Sequence, residues 1–471
     1  MVPKRVLKTP TAALLRIVKQ ALMPLGLVLA LTTTLAVQPA LTAQADPAPA
    51  TSAVAVFDAK ARATVVDTAA QALTDNYIFP DVATKAAAAI RQNLSAGHYD
   101  HLEGRALADQ LTADLQSMTR DKHLRVTLDT PDTADTPASP PPAPSGMFLF
   151  KRADLLKGNI GYIKLTGFLP PELFKIGTDD VLAKLDSTDA LIIDLRQNHG
   201  GDPAAVSYLV SFFADAGDPV HVNDIIWRTA ASQTFTTEVF STSQTPTGYR
   251  HKPVYLLTSP DTFSGGEEFA YDMKTLRLAT LVGAVTGGGA NPGHIWPLGF
   301  DFSIFVPTGR ALNPVTHTNW EGVGVQPDMA TAPDQAFGRA YAAALTATHQ
   351  AGDAMAVAGP DDVQIKPVMV RRTSPYPTGV AVVKRQIAGL VAGQQPFDIF
   401  SPGMAEELKG PVPADLQALM QGLGALQTVT FVRVDDLGGD EYDVTFAGGE
   451  QIWNIVLASD GKVVSTNFRP K

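Results

Sequence analysis

Three patterns of apolar residues succeed one another along the chain. From 54 to 118, alanine and leucine recur at helical spacing, which predicts helices near 60–76, 80–96 and 102–118. Together they would pack as a small bundle. The run closes on Thr119-Arg120-Asp121-Lys122-His123, and the alternation in Leu124-Arg125-Val126-Thr127-Leu128 predicts a strand. His123 therefore stands at a helix-to-strand junction. Residues 129–146 are rich in Pro, Thr, Ala and Asp and read as a linker.

From 147 the period changes. A strand is expected at 159–165, a helix at 172–185, and a near-continuous apolar run at 190–195 (ALIIDL) has the pattern of a strand covered on both faces. The turn Arg196-Gln197-Asn198-His199-Gly200-Gly201-Asp202-Pro203 leads into a helix near 204–213, followed by a pair of strands within 225–240. Another buried strand at 253–257 runs into Ser264-Gly265-Gly266-Glu267 and a helix, then a strand at 279–282 and a short one at 302–306. Strands alternating with helices over 147–335 predict a mixed α/β domain. Residues 336–392 read as a helical connector, with helices at 336–351 and 380–392 around an irregular stretch. In 393–471 a helix at 415–423 precedes strand-like runs at 427–433, 441–446, 451–457 and 462–468, separated by Gly-Gly and Asp-Gly turns. The expected fold class is α/β within an α+β multidomain chain: a helical bundle (46–128), a central mixed α/β domain and a C-terminal antiparallel sheet carrying a helix.

The first residues follow none of these patterns. Lys4, Arg5, Lys8, Arg16 and Lys19 precede an apolar segment at 21–37, and Ala43-Gln44-Ala45 offers a small-residue cleavage site before Asp46. Residues 1–45 are therefore expected to be a signal peptide and the protein to be exported, to a periplasm or outside the cell. A retained anchor is the alternative, since 21–37 approaches spanning length. Removing 1–45 removes five basic and no acidic groups, so the net charge moves from −10 to −10 − 5 = −15. So acidic a chain argues against nucleic acid as a partner. With no cysteine there is no disulfide, thiol nucleophile or thiolate metal site.

A serine between a buried strand and a helix can present its hydroxyl where unpaired N–H groups favour developing negative charge. Ser264 has that place, although it also fits a plain N-cap with Glu267 completing a capping box. If Ser264 is a nucleophile, the Gly265 N–H is a natural oxyanion donor. Gly200 or Gly201, after the strand at 190–195, could supply the second. The histidines include no i, i+4 pair of the metal-binding kind, so neither metal nor cofactor is expected. The glycine-rich 287–293 lacks the lysine of a phosphate loop and reads as a wall of a peptide site. Ser459–Lys462 matches a penicillin-binding spacing but crosses a hairpin turn instead of opening a helix.

Four segments, in order, resemble the C-terminal-processing (tail-specific) serine peptidases, the family that includes the tricorn core and interphotoreceptor retinoid-binding protein. They are Asp194-Leu195-Arg196-Gln197-Asn198-His199-Gly200-Gly201, Thr262-Phe263-Ser264-Gly265-Gly266-Glu267, the loop from Leu281-Val282-Gly283 to Gly289, and Glu321-Gly322-Val323-Gly324-Val325-Gln326-Pro327-Asp328. The helical stretch 54–120 is similar to the N-terminal segment of the retinoid-binding-protein-like branch. The resemblance implies a crotonase-like central domain and a serine endopeptidase working through an acyl-enzyme on peptide or protein substrates. It also allows a homo-oligomer.

The departures select a branch. The Ser–Lys members carry their lysine at the position that is Gly289 in this chain. Nor is there room for a PDZ module in 129–146. The tricorn-like branch uses Ser, His and Glu. Its histidine comes from the helical N-terminal region, and its glutamate lies after the serine at a separation that Glu321 matches. The resemblance thus implies Ser264 as nucleophile, His123 as base and Glu321 as its support. His199, Gly266 and Gly288 are the expected substrate contacts. A histidine base predicts activity rising through about pH 6.5. The alternative is a catalytically silent protein that binds a peptide or apolar ligand on the same fold.

Overall fold

The computed structural model describes residues 57–128, 150–350, 357–369, 372–435, 438–458 and 460–471. The expected signal peptide, the 129–146 linker and Ser459 lie outside these residues.

The alanine-rich stretch forms α1 (Ala59–Asn76), α2 (Pro80–Ser95) and α3 (Gly104–Thr119). The Asp58 carboxylate accepts the Ala61 N–H at 2.8 Å to open α1, proline occupies the first turn of α2, and Arg120 closes α3 in the left-handed region (φ 58°). The buried stripes Val65/Val66/Ala69/Leu73, Ala83/Ala86/Ile90 and Leu107/Leu111/Leu115 meet in one core. The helices do not close that core themselves. β1 (Arg125–Leu128) pairs antiparallel with a strand far along the chain, and Leu298, Phe302, Ile304 and Val306 complete the same cluster. Burying one such aliphatic side chain contributes roughly 1.5–3 kcal/mol, so the attachment is substantial.

The central domain runs β2 (Phe150–Leu156), β3 (Ile160–Leu165), α4 (Pro171–Leu185), β4 (Ala190–Asp194), α5 (Pro203–Val210), β5 (His221–Arg228), β6 (Phe235–Ser241), β7 (Val254–Thr258), α6 (Gly265–Thr275), β8 (Thr280–Gly283), β9 (Gly293–Gly299), β10 (Phe302–Pro307), β11 (Gly309–Leu312) and β12 (Met329–Ala330). After α7 (Ala336–Ala347), β13 (Gln364–Pro367) returns to the edge. The main sheet has the order β12-β8-β7-β4-β3-β2-β13; the first five strands are parallel and the last two pairings antiparallel. β4 and β7 are buried along their whole length, as their apolar runs require. Alternate residues face opposite layers. Leu191, Ile193, Val254 and Leu256 join the core with α4, α5 and α6; Ile192, Tyr255 and Leu257 join the one with α7.

One departure from the sequence reading affects the site. The stretch expected to hold one short strand at 302–306 holds three, β9, β10 and β11. β9 and β10 form a small sheet with β1, while β11 pairs with β5 beside β6.

The C-terminal part comprises α8 (Gly379–Ala392), α9 (Pro402–Glu407), α10 (Ala414–Gly422) and an antiparallel sheet of β14 (Leu426–Val434), β15 (Asp440–Phe446), β16 (Gly449–Leu457) and β17 (Val463–Pro470) in sequential order. Val383, Ile387, Leu416 and Met420 pack on Tyr442, Val444, Trp453 and Ile455. Glu172 of α4 ties it to the central domain, accepting hydrogen bonds from the Gly403 N–H at 3.0 Å and from the Ser401 hydroxyl. No helix of the described residues is long and apolar enough to cross a membrane.

Candidate active site

Register brings the site together. Asp194 at the end of β4 pairs with Leu257 of β7, which pairs with Val282 of β8, so three turns leave the sheet side by side. In the first, Asp194 accepts the Tyr162 hydroxyl at 2.8 Å and the Arg196 guanidinium at 2.6 and 2.9 Å. Buried Asn198 accepts the Gly200 N–H at 2.9 Å and donates to the Leu165 carbonyl at 3.2 Å. Gly201 (φ 139°) lies so near the Phe168 carbonyl that a Cβ would stand 1.9 Å from its oxygen. Only glycine fits there.

The second turn carries Ser264 at φ 54° and ψ −125°, a strained backbone for a residue with a side chain and the kind of sharp strand-to-helix turn that exposes a nucleophile. Buried Glu267 holds it. Its carboxylate accepts the N–H groups of Ser264 (3.0 Å), Gly288 (2.6 Å) and Gly289 (2.8 Å) and the Thr286 hydroxyl (2.5 Å). One side chain thus fixes the serine turn to the loop after β8. Gly200 and Gly201 sit against this turn; a Cβ on Gly265 would lie 3.1 Å from the Gly201 nitrogen. Among the described residues no hydrogen bond engages the N–H of Gly265 or of Gly201.

The turn into β1 delivers His123. Its ring packs on Phe263, the neighbour of Ser264, with centroids 4.6 Å apart, and on Phe305 of β10 at 5.9 Å. Both imidazole nitrogens are buried without a hydrogen-bond partner. Burial, with Arg125 adding repulsion, pushes its pKa down to about 4, so the ring is a neutral base through the physiological range. The limb expected at pH 6.5 is therefore displaced: desolvation outweighs the Asp121 carboxylate, whose Oδ1 lies 4.0 Å from Nδ1, and the imidazole gives up its proton earlier.

Glu321 sits in a loop held by Asn319, whose side-chain oxygen accepts the Glu321 N–H at 2.9 Å, and by Trp320, whose indole N–H donates to the Gly289 carbonyl at 2.7 Å. Its Oε2 accepts the Ala290 N–H at 2.6 Å and its Oε1 is buried without a partner. Burial and then Asp121 push its pKa up to about 8. One donor atom each from Asp121, His123 and Glu321 lies within 4.8 Å of the others, a spacing a single cation could bridge. However, the Asp121 oxygens already accept the His123 backbone N–H (3.0 Å), the Tyr77 hydroxyl (3.1 Å) and the Asn291 amide (2.9 Å). These bonds make Asp121 a brace of the His123 turn.

The structure thus brings His123 and Glu321 together and sets His123 against the Ser264 turn. No hydrogen bond joins Ser264 to His123 or His123 to Glu321 among the described residues. Of the three expected oxyanion donors, Gly265 and Gly201 keep unengaged N–H groups, whereas Asn198 takes that of Gly200. None of the three expected substrate contacts lines the cleft beside Ser264. His199 is exposed and does not line the cleft beside Ser264. Gly266 packs on the Asn198 side chain, and Gly288 packs on the 322–324 backbone. Sequence reasoning passed over Asp121, two residues before His123, and read Glu267 only as completing a capping box.

Residues 159–331 match the model of peptidase family S41, and residues 51–151 match the N-terminal domain of Peptidase_S41 in eukaryotic IRBP, together more than half of the chain. The chain belongs to peptidase family S41. A curated relative, carboxyl-terminal-processing peptidase 2 (chloroplastic) of Arabidopsis thaliana, is 27% identical over 169 residues, 36% of this chain and 31% of that protein. The match thus spans about a third of that relative's length. Among solved structures, the photosystem II D1 C-terminal processing protease is 14% identical over 58% of this chain and 94% of its own (TM-score 0.39). The tricorn protease is 14% identical over 62% and 37% (TM-score 0.41). Within this S41 chain the place of the dyad lysine is closed: a Cβ on Gly289 would lie 2.8 Å from His123 Cε1 and 2.3 Å from Phe263 Cζ.

Proposed function

We propose that the chain is an exported serine endopeptidase that hydrolyses peptide bonds through an acyl-enzyme. The observation that carries the reading is a buried, neutral, unpartnered imidazole packed on the residue before a strained serine, beside two unused backbone N–H groups. Ser264 Oγ attacks the scissile carbonyl carbon while His123 takes its proton. The carbonyl oxygen, now anionic, is held by the Gly265 and Gly201 N–H groups. His123 then gives the proton to the leaving amine, and water repeats the sequence on the ester. Ionised Glu321 stabilises the imidazolium formed in each half.

The test is intact mass after exposure to a fluorophosphonate, for the wild type and for Ser264→Ala and His123→Ala. A single adduct on the wild type, lost in both variants, is expected. No adduct between about pH 6 and 9 would refute the reading and leave the silent binding protein. N-terminal sequencing of the mature protein tests export, with Asp46 the expected first residue.

A further inference from the structure

The cleft beside Ser264 is narrow, about 20 Å³ or room for little more than one water, and is walled by Gly201, Gly265, Gly289, Trp320 and other small or apolar residues. One wall residue breaks the pattern. Glu268 is 5% exposed and reaches the cleft, yet only one of its oxygens is satisfied, by the Asn223 amide at 3.0 Å. One turn further along α6, Asp272 is fully buried, with Oδ1 accepting the Asn313 amide at 3.0 Å and Oδ2 without a partner. Among the described residues neither acid forms an ion pair. Burial pushes both upward, Glu268 to about 7, and Asp202 adds repulsion at Glu268. A carboxyl group kept in an apolar wall with spare accepting capacity is costly unless its ligand supplies the missing donor.

We propose that this cleft is the subsite for the residue on the acyl side of the scissile bond (P1), and that Glu268 selects a short hydrogen-bond-donating side chain there: serine, threonine or asparagine. The inference rests on the serine-peptidase reading. Spacing sets the length. Ser264 caps α6, Glu268 lies in its first turn, and both line the same narrow cleft. The P1 Cα of a peptide attacked by Ser264 stands next to the serine, and two or three heavy atoms beyond it reach the Glu268 carboxyl. A lysine or arginine overshoots. Aspartate and glutamate meet Glu268, Asp272 and Asp202. Valine, isosteric with threonine, leaves the carboxyl unpaired. The other polar group on the wall, the Trp320 indole N–H, is already committed to the Gly289 carbonyl.

The experiment measures kcat/KM for quenched-fluorescent peptides that differ only at P1, in the pairs Thr/Val and Ser/Ala, with Asn and Lys added. Wild type, Glu268→Gln and Glu268→Leu are compared. Wild type should favour Thr over Val by about 10- to 100-fold. Glu268→Gln should keep part of that ratio through its amide oxygen, and Glu268→Leu should abolish it. Equal rates for Thr and Val in the wild type would overturn the proposal without any variant. So would Lys as the best P1, or a preference that survives in Glu268→Leu. The fluorophosphonate carries no P1 side chain and reports on Ser264 separately. An adduct on the wild type with no P1 preference, or with no peptide cleaved, defeats this inference alone. No adduct and no cleavage defeats the peptidase reading and this inference with it.

Discussion

Gly289 occupies the position where the lysine-dependent members carry their base, and the structure says what any side chain there would do. A methyl group at Cα would lie 2.3 Å from Phe263 Cζ, 2.5 Å from Phe263 Cε2 and 2.8 Å from His123 Cε1. Carbon atoms in contact prefer about 3.5–4.0 Å, so the phenyl ring must retreat by about 3.5 − 2.3 = 1.2 Å and the imidazole by about 3.5 − 2.8 = 0.7 Å. Neither has free room: His123 is packed between Phe263 and Phe305, and Phe263 adjoins Ser264. The Gly289 backbone is also pinned, its N–H to Glu267 and its carbonyl to Trp320. Overpacking of this kind costs about 1–3 kcal/mol of stability. Displacing a base by nearly 1 Å costs on the order of 100-fold in rate. Gly289→Ala should therefore lower kcat/KM for a cleaved peptide by about that factor, with a drop in Tm and the fluorophosphonate reaction slowed in parallel. Gly289→Lys should be at least as damaged and should gain no lysine-dependent activity. Wild-type rates in Gly289→Ala would refute the placement of His123 as the base.

Other expectations follow from the same geometry. With His123 neutral above about pH 4 and Glu321 titrating near 8, activity should rise with pH as Glu321 ionises, by about 50-fold between pH 6 and 8; a pH–rate profile checks this, and Glu321→Gln should lose the limb. The raised folded-state pKa means that ionising Glu321 costs the folded protein stability as pH climbs from its ordinary 4.5 towards 8, so Glu321→Gln should melt no lower than wild type at pH 9. Glu267→Ala strands three backbone N–H groups and a hydroxyl and should cost about 3 kcal/mol or more by urea unfolding, whereas Glu267→Gln should recover part of it. Ile304→Ala, at the seam between β10 and the helices, should cost about 2–5 kcal/mol and slow the fluorophosphonate reaction although it lies outside the cleft.

What could be read in the sequence followed from patterns that need only one chain segment. The apolar runs of β4 and β7 are continuous because both faces are covered, and the helix faces of α1–α3 repeat at helical spacing. The approach of Glu321 and His123 was anticipated through a family resemblance, since nothing local in either segment announces its partner. What was missed depends on which of several donors a group meets in space. Gly200 and Gly201 look alike in sequence, yet Asn198 consumes the N–H of the first and leaves the second. Glu267 reads as an ordinary cap because the three other donors it gathers lie 19 to 22 residues away. His199 borders the right turn but stands outside the cleft, as alternation of direction in a turn cannot be counted from residue type.

The pairing of β1 with β10 also fixes an order of events during synthesis. His123 leaves the ribosome long before Phe305, the residue that backs its ring, because most of the central domain is encoded between them. Until β10 emerges, the helices lack Phe302, Ile304 and Val306 from their core, and the strand beside the imidazole has no neighbour to pair with. Such long-range closure is slow to form. A nascent chain therefore carries its serine through the whole of α6, β8 and β9 before its base can be seated. If the proposed reading holds, a chain cut before β10 carries both Ser264 and His123 and still lacks the strand that seats the imidazole, so premature fragments would be held inactive by their own incompleteness.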